Sequence, residues 1–544
     1  MSTRILALLA GLSLTACGTE QKSDADSAIV ALSPREQLIR LSVDLRGVHP
    51  SEAELAAIEA NPALYEDYVD AFLDDHRFSG RIADIFNSRF LTRTGASYGL
   101  SASGFDMPAI VNAANNEQLK LVERIVENEL PYTEIVTADY TMANPVLALA
   151  LDLDYPEGAV GWEKSHYTDG REHAGVLSMT TTWLRYTSMG GNANRSRANA
   201  VSKMLLCDDY LSRPIVLNRA AVDQLTVDPE TAINTNASCQ SCHSTLDPLA
   251  AHFFGFFVYD DDSMFEDPTV YRPEREEGWR LYAEKSPGYY GTPTSGLGEL
   301  ASLIADDQRF VGCAVKTVFE GLTQRTVVDE DWAELTDHLV AFEDSGLLIK
   351  PLVKSIVMAD EYVAKDVLDE DLALRIPSVK MVSSAQLSDI VAAKTGYRWE
   401  FAGVDIVTNR SAGVPTLLGD IDGLNMTSRN YRPSVGAVFV QERLAYAAAW
   451  AVVDHDFDPD REGDAKLLKY VPWSATPDSH PDEFEFQMRE LYRDITGLAL
   501  ADDAEEPAAL VQVWRQLYSV EGSSKKAWAG VVSAVLRDPA ILTY

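Results

Sequence analysis

Cys239-Gln240-Ser241-Cys242-His243 sets two thiols three residues apart and follows the second directly with an imidazole. On one turn of helix two such thiols can form thioether bonds to the vinyl groups of a porphyrin. The adjacent histidine then turns a ring nitrogen to the iron, so the pattern is that of covalent c-type haem attachment. A thioredoxin-like redox pair, half of a zinc site and coincidence are the competing readings. A redox pair belongs in a strand-helix-strand context, which Thr235-Asn236-Ala237-Ser238 and Ser244-Thr245-Leu246-Asp247-Pro248 do not suggest. A structural zinc site needs a second ligand pair at short range, and the sequence offers none.

Iron held in this way has a sixth position. His252, His173, Met264 and Met179 are the candidates for it, and His252 reads equally well as a core histidine beside Phe253, Phe254, Phe256 and Phe257. Asp247-Pro248 predicts a turn, followed by an aromatic helix suited either to the wall of a porphyrin crevice or to an ordinary core. A metal-bound histidine usually donates its other ring nitrogen to an acceptor, and the Pro248 carbonyl is the one expected here. Arg195 and Arg197 form a basic island in an acidic chain. Their guanidinium forks suit haem propionates; salt bridges to the acidic surface are the plain alternative.

The elements and compartment must suit that chemistry. Met1-Ser2-Thr3-Arg4, the apolar run from Ile5 to Leu14, and Leu14-Thr15-Ala16-Cys17 resemble a bacterial lipoprotein signal (1–16), with an ordinary cleaved signal as the alternative. The resemblance implies lipidation of Cys17, a polar lipidated tether over 17–33 and, from Gly18, an outer-membrane address in a Gram-negative envelope. No other stretch is apolar for long enough to span a bilayer. Cys207 and Cys313 are then left over in an oxidising compartment, and a disulfide between them is predicted against the alternative of two buried free thiols. With 46 basic and 83 acidic side chains, a formal charge of −37, the surface repels nucleic acid, and a redox partner protein should present a basic docking patch. Asp454-His455-Asp456-Phe457-Asp458-Pro459-Asp460 lacks the glycine and closing glutamate of a calcium loop and reads as a solvated acidic loop.

Helical periodicity dominates, so the fold class is mainly α. Ser51-Glu52-Ala53-Glu54 is a capping box opening Ala53 to Glu59, and Tyr65 to Asp75, Arg81 to Arg93 and Glu117 to Leu130 place apolar residues three and four apart. A weak repeat places Gln, two apolar residues and Gly at matching offsets in Gln37-Leu38 with Leu41 and Gly47, Gln386-Leu387 with Ile390 and Gly396, and Gln487-Met488 with Leu491 and Gly497. Leu352 to Asp360 also rhymes with Val531 to Asp538. Duplicated helical subdomains, or generic helices sharing a stop signal, would each produce this. Composition divides the chain into a helical N-terminal domain (34–160), a cytochrome c-like haem domain (165–370) embedded between helical domains, and a helical C-terminal domain (375–544).

Thr137-Ala138-Asp139-Tyr140-Thr141-Met142-Ala143-Asn144, His173-Ala174-Gly175-Val176-Leu177, the cysteine motif with Asp247-Pro248-Leu249, and Phe310-Val311-Gly312-Cys313 follow one order. In that order the chain resembles the large exported proteins of planctomycetes and myxobacteria that carry a planctomycete-type cytochrome c domain among domains of unknown function. The resemblance spans roughly 130 to 370. It implies covalent haem and an exported location and leaves the reaction open; the proline-rich tract usual between Cys207 and the motif is missing here. The expectation is a membrane-anchored mono-haem c-type cytochrome passing single electrons. The alternatives are a haem peroxidase- or oxidase-like enzyme with an open sixth site, and an outer-membrane scaffold whose haem is structural. No Ser-His-Asp elbow, phosphate loop or HExxH motif supports a second chemistry.

Overall fold

Ser33 ends a short extended segment and begins the first long helix, Pro34–Arg46, through a capping box: its hydroxyl accepts from Glu36 N while the Glu36 carboxylate accepts from Ser33 N at 2.9 Å. The helix stops at Gly47, whose φ of 75° is the left-handed conformation a helix C-terminus favours and only glycine adopts freely. The computed structural model describes residues 29–544 apart from 189, 215–218, 220, 221, 224, 225, 227, 257–269, 283, 284 and 462. Helix accounts for 59% and strand for 6%, so the protein is mainly α.

The helices expected in the first 130 residues form with shifted ends, as Glu52–Ala60 behind the Ser51 capping box, Tyr65–Leu73, Phe78–Phe90 and Met107–Glu127. The weak repeat is three helices with one stop signal. Pro34–Arg46, Ser384–Thr395 and Pro481–Thr496 end at Gly47, Gly396 and Gly497, with φ of 75°, 75° and 77°. They also pack together: Gln386 donates to the Val43 carbonyl at 2.8 Å, Arg35 donates to the Gly497 carbonyl at 2.6 Å, and a Cβ at 497 would lie 3.1 Å from Ile39.

The repeat extends to how each half closes. Ile29–Ala31, just before the first of these helices, pairs antiparallel with Ala364–Val367, which follows the amphipathic helix Ile349–Val357. In the second half Lys380 and Tyr544 exchange both backbone hydrogen bonds at 2.9 Å, joining the segment before Ser384–Thr395 to the one after Ser524–Val535. Each half is thus tied first-to-last by a short antiparallel clasp.

Asp44 locks the halves together. Buried, it accepts from Tyr362 Oη at 2.7 Å, Tyr544 Oη at 2.5 Å and Lys380 Nζ at 2.8 Å, while Lys380 also donates to the Leu322 carbonyl. Burial pushes the Lys380 pKa down to about 8 although the Asp44 carboxylate opposes it. One hydrophobic core runs from Leu38 to Leu542 and crosses the composition boundaries: Tyr132 stacks on Phe310 at 4.8 Å between ring centroids and donates its N–H to the Leu347 carbonyl. No helix among the described residues is long and apolar enough to cross a membrane.

Candidate haem-attachment site

The cysteine motif lies in the first two turns of a helix, Ala237–Ala250, whose N-cap Asn236 accepts from Ser238 N at 3.0 Å. Helical spacing brings Cys239 and Cys242 to one side, where both are free, half-buried thiols, and Cys242 packs against the main core. The helix continues through Asp247 and Pro248, where a turn is expected from sequence; Pro248 removes one donor from the last turn without ending the helix.

That continuity positions the histidine. Asp247 comes one turn after His243, and its Oδ1 accepts from His243 Nδ1 at 2.9 Å. The acceptor is therefore the Asp247 carboxylate and not the Pro248 carbonyl expected from sequence. Arg195, on the neighbouring helix Arg195–Leu206, forks onto the same carboxylate with Nε at 2.7 Å from Oδ1 and Nη2 at 3.1 Å from Oδ2. Burial raises the Asp247 pKa, but the His243 and Arg195 hydrogen bonds outweigh it and hold the carboxyl below its ordinary range. An ionised Asp247 fixes the proton on Nδ1 and leaves Nε2 with its lone pair. Nε2 has no hydrogen-bond partner among the described residues, and the imidazole is 23% exposed. Two free thiols on one helix side, with a histidine of fixed tautomer directly after them, fit covalent haem with His243 as its axial ligand.

Both arginines expected at propionates are engaged elsewhere. Arg195 serves Asp247. Arg197 is 2% exposed and is satisfied by the Tyr186 and Phe256 carbonyls at 3.0 and 2.9 Å and by Asn194 Oδ1 at 3.1 Å; burial lowers its pKa to about 9. It fastens the segment after the motif to the start of the Arg195 helix. Ahead of that helix, Ala193 and Asn194 both have positive φ, 48° and 63°, conformations that cost non-glycine residues about 1 kcal/mol or more each. The backbone is bent there to deliver Arg195.

The sixth-ligand candidates fare unequally. His252 is buried with both ring nitrogens occupied, Nδ1 at 3.0 Å from the Leu249 carbonyl and Nε2 at 2.6 Å from Thr294 Oγ1, and burial lowers its pKa to about 4. It is a satisfied core histidine. His173 Nε2 accepts from Tyr167 N at 3.0 Å, and Met179 is fully buried in the core. Met264 and Cys17 lie outside the described residues. The aromatic run is core as well: Phe253 and Phe256 pack on Trp183 with ring centroids 4.5 and 5.7 Å away. Among the described residues no three His, Cys, Asp or Glu side chains converge as a metal cluster.

Cys207 and Cys313 form a disulfide, with their Cα atoms 5.3 Å apart. It ties the C-terminal end of the Arg195 helix to the helix Gln308–Thr323 and closes a loop that contains the whole motif. Asp247 is the residue that sequence reading missed. The i,i+4 spacing of His243 and Asp247 was the available signal, and it is visible only when the helix is carried through Pro248. Comparison with known protein families, with curated proteins and with solved structures finds no match to this chain.

Proposed function

We propose that the chain is a mono-haem c-type cytochrome, with Cys239 and Cys242 as thioether donors and His243 as the axial ligand. It would be held on the outer membrane by a lipidated Cys17 and pass single electrons in the cell envelope. The observation that carries this reading is the His243–Asp247–Arg195 relay next to two free thiols, because ligating histidines are oriented by such outer partners. The resemblance over roughly 130 to 370 and the predicted export signal support it, since c-type haem is attached outside the cytoplasm. Bound haem would supply the one-electron couple. The chain's own residues hold the ring, fix the tautomer, and bury Asp247 beneath Arg195. A formal charge of −37 favours a partner docking through a basic patch.

One observation favours the enzyme reading as the second choice. A carboxylate behind the axial imidazole makes it a stronger donor, which stabilises oxidised iron, and His252 offers no free nitrogen for the sixth position. A reduced low-spin spectrum indifferent to cyanide and CO supports electron transfer. A high-spin ferric spectrum that responds to them supports the enzyme.

A further inference from the structure

A cleft of about 1340 Å³ opens on the seam between the two halves, remote in sequence from the cysteine motif. One wall comes from the helices Phe78–Phe90 and Met107–Glu127, the other from residues 402–431, with residues 320–326 between them. Its lining reverses the character of the surface: six arginines stand against five carboxylates in a chain whose formal charge is −37.

Most of those arginines have partners. Arg81 and Arg93 pair with Asp84, Arg89 with Glu320, Arg429 with Asp420, and Arg325 with carboxylates behind the wall. Arg410 does not. Its Nε donates to the Ile421 carbonyl at 3.3 Å, and no carboxylate lies within ion-pair distance among the described residues. Burial and the Arg93 charge push its pKa down against the pull of the Asp420, Asp84 and Asp422 carboxylates, none of which is paired with it directly, so a bound anion would relieve it. Its position is fixed, because Ser411 Oγ donates to the Gly95 carbonyl at 2.8 Å and a Cβ at 95, where φ is +75°, would come within 2.8 Å of Ser411 N.

The remaining lining mixes hydroxyl and amide side chains with apolar ones such as Met107, Pro108, Val111 and Ile421. The hydroxyls of Ser88, Thr326, Thr427 and Ser428 have no hydrogen-bond partner among the described residues, and Tyr431 is the one aromatic residue of the lining. Pockets for compact apolar ligands run to about 300–1,000 Å³ with mainly hydrophobic walls. This cleft is larger and its wall is as much polar as apolar, which suits an extended sugar chain, whose rings present hydroxyl edges and apolar faces.

We propose that the cleft binds an acidic oligosaccharide, with Arg410 forked onto a carboxylate of the sugar chain and the unpartnered hydroxyls bonded to its ring oxygens. The inference stands independently of the haem reading, and its test is indifferent to haem loading.

Isothermal titration of the full-length protein with hexagalacturonate, maltohexaose, hexaglutamate and inorganic phosphate tests it. Hexagalacturonate is expected to bind and maltohexaose to bind at least about tenfold more weakly, the worth of one charged hydrogen-bonded pair. Arg410→Gln should cost hexagalacturonate a similar factor while leaving the melting temperature of the free protein close to wild type. Should that variant fail to fold, Thr427→Val and Ser428→Ala, which break no hydrogen bond within the protein, should each weaken binding about threefold. Absence of hexagalacturonate binding, equal binding of hexaglutamate or phosphate, or unchanged affinity in a folded Arg410→Gln would overturn the assignment.

Discussion

Asp247 stands one helical turn beyond His243, with its carboxylate 2.9 Å from Nδ1 of that ring and clasped from the other side by Arg195. The three side chains form a graded device. Asp247 makes the imidazole more electron-donating, and Arg195 limits how far, by sharing the carboxylate charge.

Asp247→Asn and Arg195→Met should therefore move the reduction potential of the haem-loaded protein in opposite directions. The amide is a weaker acceptor, destabilises the ferric state and raises the potential; loss of the guanidinium leaves a more basic carboxylate and lowers it. A tenfold change in relative ferric and ferrous stability corresponds to about 59 mV for one electron, the scale expected for Asp247→Asn. Optical redox titration reads both, and shifts of the same sign would contradict the relay.

The Cys207–Cys313 bridge closes a loop with a sequence separation of 106. In the chain-entropy account a loop near that size is worth about 4–5 kcal/mol, with about 2–5 kcal/mol typical when a native bridge is removed. Cys207→Ser together with Cys313→Ser should lower the urea midpoint accordingly, and reductant should weaken the wild type but not the double variant.

Two buried histidines make stability depend on mild acid. Burial lowers the pKa of His252 to about 4 and that of His49, with help from the Lys394 charge, to about 3, against an ordinary 6.5. As pH falls below 6.5 the unfolded chain takes up protons that the folded one refuses, so stability is lost. Each group contributes up to about 1.4 kcal/mol per pH unit between 6.5 and its folded pKa. Urea midpoints measured from pH 7 to pH 5 should fall less steeply in His252→Gln than in the wild type. An unchanged slope would mean that His252 protonates freely in the folded protein.

The Asp44 hub predicts a non-additive pair. Asp44→Ala leaves Lys380 buried without its counter-charge and should cost about 3–5 kcal/mol, whereas Asp44→Ala with Lys380→Met should cost less than Asp44→Ala alone. Denaturant unfolding of the wild type, Asp44→Ala, Lys380→Met and the double variant gives the coupling. Simple additivity would contradict the hub.

Much of the frame was legible in sequence because it rests on local rules. Ser51 with Glu54 announced a capping box, and the glycines at 47, 396 and 497 announced helix stops, all of which are chemistry within four residues. The clasps and the Asp44 hub join residues hundreds of positions apart, and no periodicity encodes them. At the candidate site the motif itself was plain. Pro248 suggested a turn, yet the tertiary contacts of a buried last turn outweigh one missing donor, and the helix runs on to place Asp247. Arg195 and Arg197 look alike in sequence; two positions along a helix turn one toward the Asp247 carboxylate and the other into a cage of carbonyls.

The pyridine haemochrome spectrum of the full-length protein, exported from a host competent in cytochrome c maturation, tests the central claim most directly. One covalently bound haem per chain, lost in Cys239→Ser with Cys242→Ser, is the predicted result. Colourless protein with both motif thiols free to react would contradict it.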